Sequence, residues 1–319
     1  MHDAAQVPPA GGPASRGERS VTVTGATGLL GAALVGALRE RGAHVTVLTR
    51  DPARARSRLG DVEAVGWSLL DEPAPSDALA GRDAVVHLAG EPVAQRWSAR
   101  AKRAIRDSRV IGTHNLLDGL ARADPRPPTL VSSSAVGYYG AHGDEPLDED
   151  APPGEDFLAR VCVEWEQAAA RAGEIGARAV QVRTGVVLDR GGGALAKMLP
   201  PFRLGVGGPV AGGYQYIPWI HSADVVGMML AAIEDERWSG PVNASAPEPV
   251  RNRDFSRALG AALGRPAAMP VPALALRALY GEMAQIVTTG VRAVPAKALV
   301  LGYQFAHPQL EEALRDTLS

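Results

Sequence analysis

The stretch SVTVTGATGLLGAALVGAL, residues 20–38, decides the fold of this chain. Its first five residues are a short, mostly β-branched run that ends at a glycine, which is typical of a buried strand. After the glycine-rich turn, Leu30, Leu34 and Leu38 lie along one helical stripe, and Gly42 is placed to end the helix. The stretch therefore predicts a strand, a tight turn and a helix in direct succession.

Three glycines form the turn between that strand and that helix. Gly25 permits a tight turn, Gly28 lets backbone approach a pyrophosphate, and Gly31 lets the helix lie close to the strand. The helix N-terminus presents unpaired N–H groups and the positive end of its dipole to phosphates. Because a strand precedes the turn and a helix follows it, we predict a dinucleotide site rather than a glycine-rich turn without a ligand.

The end of the second predicted strand indicates which dinucleotide is bound. An NAD site usually places an acidic residue there for the ribose hydroxyls, but this chain has Arg50, with Arg54 as a helper. A guanidinium suits a 2′-phosphate, so the sequence favours NADP(H). The alternative is a solvated arginine beside Asp51.

Outward from this turn, strand and helix patterns alternate. The further strands are predicted at residues 43–50, 62–67, 83–90, 129–140 and 177–188. Helical segments, notably 98–121 and 157–172, separate most of them. Such alternation needs crossover connections, so the fold class is α/β, a Rossmann-type doubly wound parallel sheet.

The pattern changes after residue 188. Residues 189–213 are rich in glycine and proline and are expected to be loop-rich rather than another strand–helix unit. The predicted organisation is a flexible tail at 1–19, a Rossmann domain at 20–190 completed by about 219–246, and a smaller, mostly helical C-terminal substrate-binding lobe at 191–218 and 247–319.

Composition excludes several classes of protein. The chain has 319 residues and a net charge of −2, without the strongly basic balance of a nucleic-acid binder. No uninterrupted apolar run is long enough to span a bilayer. The single cysteine, Cys162, cannot form an internal disulfide and suits a reducing compartment, so we expect a cytoplasmic protein. The histidines lack ligand-like spacing, so no metal is predicted.

Longer phrases carry a family resemblance. They are TGATGLLG at 24–31, HLAG at 87–90, GTHNLL at 112–117, SSSAVGYYG at 132–140, VRTGVVL at 182–188 and IHSADVV at 220–226. On these phrases the chain resembles the extended short-chain dehydrogenase/reductase superfamily, also called the NAD-dependent epimerase/dehydratase family. The phrases at 89–113, 193–209 and 270–284 are similar to a subgroup named nucleoside-diphosphate-sugar epimerases, which has a C-terminal domain of unknown function.

The resemblance implies a Rossmann fold, NADP(H) and a small-molecule substrate, and it is compatible with a homodimer. It does not supply a substrate. By the same resemblance, cofactor contacts beyond the three glycines and Arg50 are expected at Thr27, Leu29, Leu30, Asp71, Leu88, Ala89, Gly90 and Ser132.

Superfamily members usually work with a serine and a Tyr-x-x-x-Lys pair on one helix, where the lysine lowers the pKa of the tyrosine. Ser134 matches the serine. Phe157 or Leu158 falls near the tyrosine position and Val161 or Cys162 near the lysine position, so neither pairing can transfer protons. This departure puts the standard mechanism in doubt.

Substitute groups are therefore needed. Tyr138 is our candidate proton donor, whereas Tyr139 matches a tyrosine that is usually a packing residue. Glu91 follows the fourth strand, at the carboxyl edge where substrates bind, although a surface or capping role is equally compatible. Lys197 and His221 are the other candidate substrate contacts.

One basic helical face adds a further candidate. Lys102, Arg106 and Arg109 share a face, which predicts either a cradle for an anionic substrate or, as the favoured interpretation, a solvated surface. Arg183 matches a superfamily arginine and is otherwise interpreted as a structural ion pair.

The sequence thus predicts an NADP(H)-binding oxidoreductase or epimerase-like enzyme that acts on a small polar or sugar-like substrate with a non-standard active site. The alternative is a non-catalytic NADP(H)-binding sensor or scaffold protein, which the missing Tyr-x-x-x-Lys favours. A sugar-nucleotide dehydratase is a weaker alternative, because that chemistry needs more acid–base groups than the sequence offers.

Overall fold

The computed structural model describes residues 19–319, so the predicted flexible tail lies outside the described residues except for Arg19. The strands are β1 (Ser20–Thr24), β2 (His44–Thr49), β3 (Glu63–Gly66), β4 (Ala84–His87), β5 (Thr129–Ala135), β6 (Pro146–Leu147), β7 (Arg178–Thr184), β8 (Val186–Leu188), β9 (Tyr216–Ile217), β10 (Trp219–His221), β11 (Gly240–Ala244), β12 (Val250–Arg251) and β13 (Arg292–Ala293).

The helices are α1 (Leu29–Glu40), α2 (Pro52–Leu59), α3 (Ala99–Arg122), α4 (Phe157–Ala170), α5 (Gly193–Arg203), α6 (Ser222–Glu234), α7 (Asn252–Ala262), α8 (Ala273–Tyr280), α9 (Gln285–Thr288), α10 (Ala296–Val300) and α11 (Leu310–Leu318). Short 3₁₀ turns occupy Ser76–Ala78, Val136–Tyr139, Arg171–Ile175 and Gly281–Ala284.

Seven parallel strands form the central sheet in the order β11-β7-β5-β4-β1-β2-β3. This is the predicted doubly wound Rossmann-type arrangement. The strand order reverses between β1 and β4, so the turn after β1 and the loop after β4 meet at one edge of the sheet. Ligands of open α/β sheets bind at such a switch point.

Both faces of the sheet are covered, which explains its near-continuous apolar strands. Val23 and Val86 pack towards α1 and α6, whereas Leu130 on the opposite face packs against Leu116 and Leu120 of α3. These side chains are essentially inaccessible to solvent. The sheet is therefore a rigid support for the loops at its carboxyl edge.

The predicted strand at 177–188 is two strands separated at Gly185. The Gly185 N–H donates to the carbonyl oxygen of Ala244 over 2.9 Å, and a Cβ at Gly185 would lie 2.0 Å from the carbonyl oxygen of Pro218. Because the backbones approach so closely there, β7 stays in the main sheet while β8 leaves it to pair with β10.

The prediction of a loop-rich segment at 189–213 was wrong for its central part, which is the helix α5. Leu195, Leu199 and Phe202 follow the i, i+4, i+7 spacing of a buried helical stripe and pack into the core of the C-terminal lobe. Two adjacent prolines lie in the helix near its end, and they concealed this periodicity. The lobe is mostly helical, as predicted.

Candidate functional site

The glycine turn has the backbone geometry that a dinucleotide cradle needs. Gly25 has a positive φ of 66°, and a Cβ there would lie 2.7 Å from the backbone nitrogen of Ala89. A Cβ at Gly31 would lie 2.3 Å from the carbonyl oxygen of Gly25. Gly28 caps α1 without a side-chain hydrogen bond, so first-turn N–H groups stay available for phosphates. These residues fit a dinucleotide pyrophosphate.

Thr24 fixes the turn to the loop after β4. Its hydroxyl lies 2.7 Å from Nδ1 of His87 and accepts the backbone N–H groups of Leu88 and Ala89 over 3.2 and 3.3 Å. With those two donors on its lone pairs, the hydroxyl proton is directed at His87 Nδ1. The predicted cofactor residues Leu88 and Ala89 are thereby held against Gly25.

His87 is fully buried, and it is held neutral. Burial, reinforced by the charge of Arg109, lowers the pKa of His87 from 6.5 to about 4. Its Nε2 has no hydrogen-bond partner among residues 19–319. A positive charge on this ring would therefore be uncompensated.

We predict a pH dependence of stability from this residue. The imidazole of His87 binds a proton near pH 6.5 in the unfolded chain but only near pH 4 in the folded chain. The unfolding free energy therefore has its full value above pH 6.5 and declines as the pH falls towards 4. The decline amounts to about 3 kcal/mol. Urea unfolding at a series of pH values should show this decline of the unfolding free energy in the wild type. The decline should be absent in His87→Gln. His142→Gln, at an exposed histidine, should keep the wild-type slope; an unchanged slope in His87→Gln would refute the assignment.

The residues expected around the adenosine end lie at exposed positions. Arg50 follows β2 and is solvent-exposed, while Asp51 caps α2 by accepting the N–H of Arg54 over 2.9 Å. Asp51 therefore has a local role, and the Arg50 guanidinium remains available. Asp71 is exposed and hydrogen-bonded to Ser68.

Not every predicted cofactor contact faces the turn. Ser132 is buried within the sheet, and its hydroxyl donates to the carbonyl oxygen of Ser133 over 3.2 Å. Because the side chain is fully buried and its hydroxyl proton is directed at the backbone of the same strand, we do not retain Ser132 as a cofactor contact. Leu30 packs partly into the core, whereas Thr27 and Leu29 remain partly accessible at the turn.

Ser134 joins a buried charged network. Its hydroxyl donates to Oε1 of Glu166 over 2.6 Å. Arg183 donates to both carboxylate oxygens of Glu166, from Nε and Nη2, each over 2.8 Å. Arg183 is 3% exposed in its side chain and Glu166 12%, so this is a largely buried bidentate ion pair. The structural ion-pair interpretation of Arg183 is confirmed, and Glu166 is the partner that the sequence did not reveal.

The two tyrosines after β5 differ in environment. The Tyr139 hydroxyl lies 2.7 Å from Oδ1 of Asn243 and accepts from Arg183 over 2.9 Å, and burial raises its pKa to about 12. Tyr139 is a packing residue, as expected. The Tyr138 ring stacks on Arg183, with Cζ 3.5 Å from the ring centroid, and remains partly exposed. Tyr138 is the tyrosine that could reach a ligand.

The positions of the missing Tyr-x-x-x-Lys pair are apolar. Phe157 packs edge-to-face on Trp97, with ring centroids 5.1 Å apart, and Val161 lies in the same cluster. Cys162 is buried, and burial raises its pKa to about 12, so the thiol is protonated at neutral pH. The helix that usually carries both catalytic groups therefore provides neither acid nor base at these points.

The basic face of α3 is neither an open cradle nor uniformly solvated. Lys102 forms an ion pair with Glu282 of the C-terminal lobe. Arg106 pairs with Glu164 of α4. Arg109 points inward, where its Nη1 donates to the carbonyl oxygens of Glu91 and Ile105 and its Cζ lies 5.0 Å from the Trp165 ring centroid, so the solvated-surface interpretation is wrong for it. The face instead joins α3 to its neighbours.

The predicted substrate residues occupy two places. Glu91 accepts a hydrogen bond from Gln95 over 3.1 Å, and Lys197 of α5 donates to the carbonyl oxygen of Ala94 over 3.1 Å. A Cβ at Gly192 would lie 3.2 Å from a Leu29 methyl group. The segment that leads into α5 thus packs on the glycine turn, and α5 contacts the loop after β4, so Glu91 and Lys197 both lie at that loop.

His221 is hydrogen-bonded elsewhere, at the start of α6 and to the C-terminal helix. Its Nδ1 accepts the N–H of Ala223 over 3.2 Å at the start of α6, and its Nε2 lies 3.2 Å from Oδ2 of Asp316. Both ring nitrogens are therefore occupied within the protein, and we do not retain His221 as a substrate residue. The fold also brings His307 to this pair, with ligand atoms within 4.8 Å of one another. Sequence spacing could not show this cluster. Because Nδ1 of His221 accepts a hydrogen bond from the Ala223 N–H, the proton of the neutral ring is on Nε2, which disfavours a metal there.

No helix in the part of the chain that the structure describes is long and apolar enough to cross a membrane.

Comparison with known proteins identifies relatives over almost the whole chain. Residues 21–244 match the NAD dependent epimerase/dehydratase family, and residues 271–317 match a domain of unknown function, DUF1731. The chain is 40% identical over 300 residues to the chloroplastic Epimerase family protein SDR39U1 homolog of Arabidopsis thaliana, covering 93% of this chain and 86% of that protein. It is 39% identical to Epimerase family protein SDR39U1 of Mus musculus, covering 94% and 99%.

A solved structure supports the same relationship. The crystal structure of human epimerase family protein SDR39U1 (isoform 2) with NADPH superposes with a TM-score of 0.84 at 36% identity, covering 93% of this chain and 98% of that one. The superposition includes the region of the glycine turn and of the C-terminal lobe, since almost all of both chains is covered.

Proposed function

The chain belongs to the NAD-dependent epimerase/dehydratase family, and from this premise we propose that it is an NADP(H)-dependent oxidoreductase or epimerase-like enzyme acting on a small polar or sugar-like molecule. The glycine turn from Gly25 to Gly31 supports dinucleotide binding. The exposed Arg50 and the NADPH of the human relative support NADP(H) as the cofactor. The Rossmann domain is residues 20–190 with 219–246, and the remaining lobe would bind the substrate.

The Ser134–Glu166 hydrogen bond is the observation that carries the catalytic proposal. Because the Ser134 hydroxyl donates to a carboxylate, its oxygen lone pairs can accept the proton of a substrate alcohol. As that proton arrives, the original Ser134 proton passes to Glu166, whose carboxylate Arg183 holds in place with two hydrogen bonds. Bound NADP⁺ supplies the hydride acceptor. In the reverse direction Glu166 returns the proton through Ser134 to the alcohol oxygen.

Two substitutions test this relay. Ser134→Ala and Glu166→Gln should each lower turnover about 10²-fold or more, the usual contribution of a positioned acid–base group, while NADPH affinity changes less than about twofold. NADPH oxidation should be followed with dihydroxyacetone, glyceraldehyde and keto-sugars as probes.

Tight NADPH binding without oxidation by any probe would contradict the enzyme proposal. It would instead support the alternative, a non-catalytic NADP(H) sensor or scaffold. One observation favours that alternative: Ser134 is 4% exposed, so a substrate would reach it only at the end of β5. Tyr138, more accessible, is the remaining candidate donor under the enzyme proposal.

We propose that Arg50 binds the 2′-phosphate of NADP(H). Arg50→Ala should weaken NADPH binding about 10- to 100-fold, which corresponds to a charge-assisted hydrogen bond of about 1.5–3 kcal/mol, and should leave NADH binding nearly unchanged. Fluorescence titration with both cofactors measures this. Arg58→Ala, at an exposed arginine of α2, is the matched control. An equal loss for NADH would contradict the assignment.

Location and assembly stay at the level of prediction. The buried, protonated Cys162 suits a reducing compartment, and on that ground we propose a cytoplasmic protein, although the Arabidopsis relative is named as chloroplastic. A homodimer also stays a prediction.

A further inference from the structure

The lysine position of the superfamily is uncharged in this chain. Val161 or Cys162 falls there, within α4; Val161 is apolar, and the Cys162 thiol is buried and protonated. In the superfamily a lysine at this position supplies the positive charge that lowers the pKa of the tyrosine. α4 therefore does not supply that charge from this position.

Arg109 of α3 brings a positive charge close enough to Cys162 to influence its thiol. Its Nη1 donates to the carbonyl oxygens of Glu91 and Ile105, each over 3.0 Å, and its Cζ lies 5.0 Å from the ring centroid of Trp165. A Cβ at Gly90 would lie 3.4 Å from the same Cζ. The guanidinium is thus wedged between α4 and the loop after β4, directly against the backbone that borders the dinucleotide turn.

Part of the hydrogen-bonding capacity of Arg109 is unused. Both of its hydrogen bonds leave from Nη1, so Nε–H and the Nη2 protons have no acceptor among residues 19–319. An arginine has five donors and stays charged in proteins. The electrostatic influence of Arg109 extends to Cys162 and to His87, in keeping with their proximity. An arginine this deeply placed, with free donors, fits an acceptor group that arrives with a ligand.

We propose that Arg109 takes the place of the missing lysine: its free N–H groups bind the nicotinamide-side ribose of NADP(H), and its charge favours the neutral dihydronicotinamide ring of NADPH over the positively charged nicotinamide ring of NADP⁺. This inference concerns the site of the proposed function, but it rests on cofactor binding alone. Measurements of cofactor binding can therefore support or contradict the inference whether or not the protein turns over a substrate.

The test compares two affinities in the full chain. Arg109→Met should weaken NADPH binding about tenfold, as expected when hydrogen bonds from a charged donor are lost. NADP⁺ binding should weaken about twofold or less, because a repulsion is removed together with those bonds. The ratio of the two dissociation constants, NADP⁺ over NADPH, should therefore fall about fivefold. Arg109→Lys should restore most of the wild-type ratio.

Two further variants separate this role from a purely structural one. Arg109→Gln keeps an N–H donor for the Glu91 carbonyl without the charge, so it should fold and still show the lowered ratio. Arg106→Met, on the same helix but at an exposed arginine paired with Glu164, should keep the wild-type ratio. Equal weakening of both cofactor forms in Arg109→Met and Arg109→Gln, or no weakening of either, would overturn the proposal.

Discussion

A Gly31→Ala variant is expected to lose measurable NADPH binding, although it changes one hydrogen atom to a methyl group. The added Cβ would lie 2.3 Å from the carbonyl oxygen of Gly25 and 2.7 Å from Cα of Ala26. Both contacts are with backbone, so rotation of a side chain cannot relieve them. The start of α1 must therefore move away from β1, and the N–H groups that face the pyrophosphate move with it. Fluorescence titration with NADPH measures the loss.

The same helix provides the control. Gly36 also lies in α1, but a Cβ there meets no atom within 4 Å. Gly36→Ala should therefore keep NADPH binding and stabilise the protein by about 0.5–1 kcal/mol through the helix preference of alanine. Wild-type NADPH affinity in Gly31→Ala would show that the turn does not hold the cofactor by close packing.

The features that the sequence predicted well are those that depend on neighbouring residues. β1, the glycine turn and α1 are encoded by one continuous stretch of sequence. The turn has the expected positive φ at Gly25. The absence of an acid or base at Phe157 and Cys162 was also visible from sequence, because it concerns residue types at known positions. The surroundings of those two side chains needed the fold.

The parts that sequence reasoning missed depend on contacts between distant segments. Glu166 lies 32 residues from Ser134 along the chain, and no local pattern joins them. Arg109 was assigned to a helical face by its spacing, which cannot tell that α4 covers this side of α3. His221 looked like a substrate contact because it follows a strand, but the C-terminal helix brings Asp316 to it. In each case the missing information is which helix packs against a given strand or helix.

The Arg183–Glu166 pair should have the largest single effect on stability. In Arg183→Met the Glu166 carboxylate stays largely buried. It keeps the hydrogen bond from the Ser134 hydroxyl but loses its cationic partner. Breaking a buried ion pair from one side costs about 3–5 kcal/mol of unfolding free energy, because the remaining charge is uncompensated. Urea unfolding at neutral pH measures this loss of unfolding free energy. Arg171→Met is the control, because Arg171 and Glu174 form an exposed ion pair with 55% and 64% side-chain exposure. That pair should contribute less than about 1 kcal/mol.

A double variant distinguishes loss of charge balance from loss of packing. Glu166→Gln combined with Arg183→Met removes both charges, so its unfolding free energy should lie above that of Arg183→Met alone. The Arg183 side chain also stacks on Tyr138, and methionine retains part of that contact because it is apolar and flexible. If the double variant were less stable than Arg183→Met, the dominant role of Arg183 would be its packing on the tyrosines, and Glu166 would be stable without a cation. Recovery in the double variant would instead mean that Arg183 mainly compensates the buried Glu166 carboxylate beside Ser134, the group that accepts the Ser134 proton in the proposed relay.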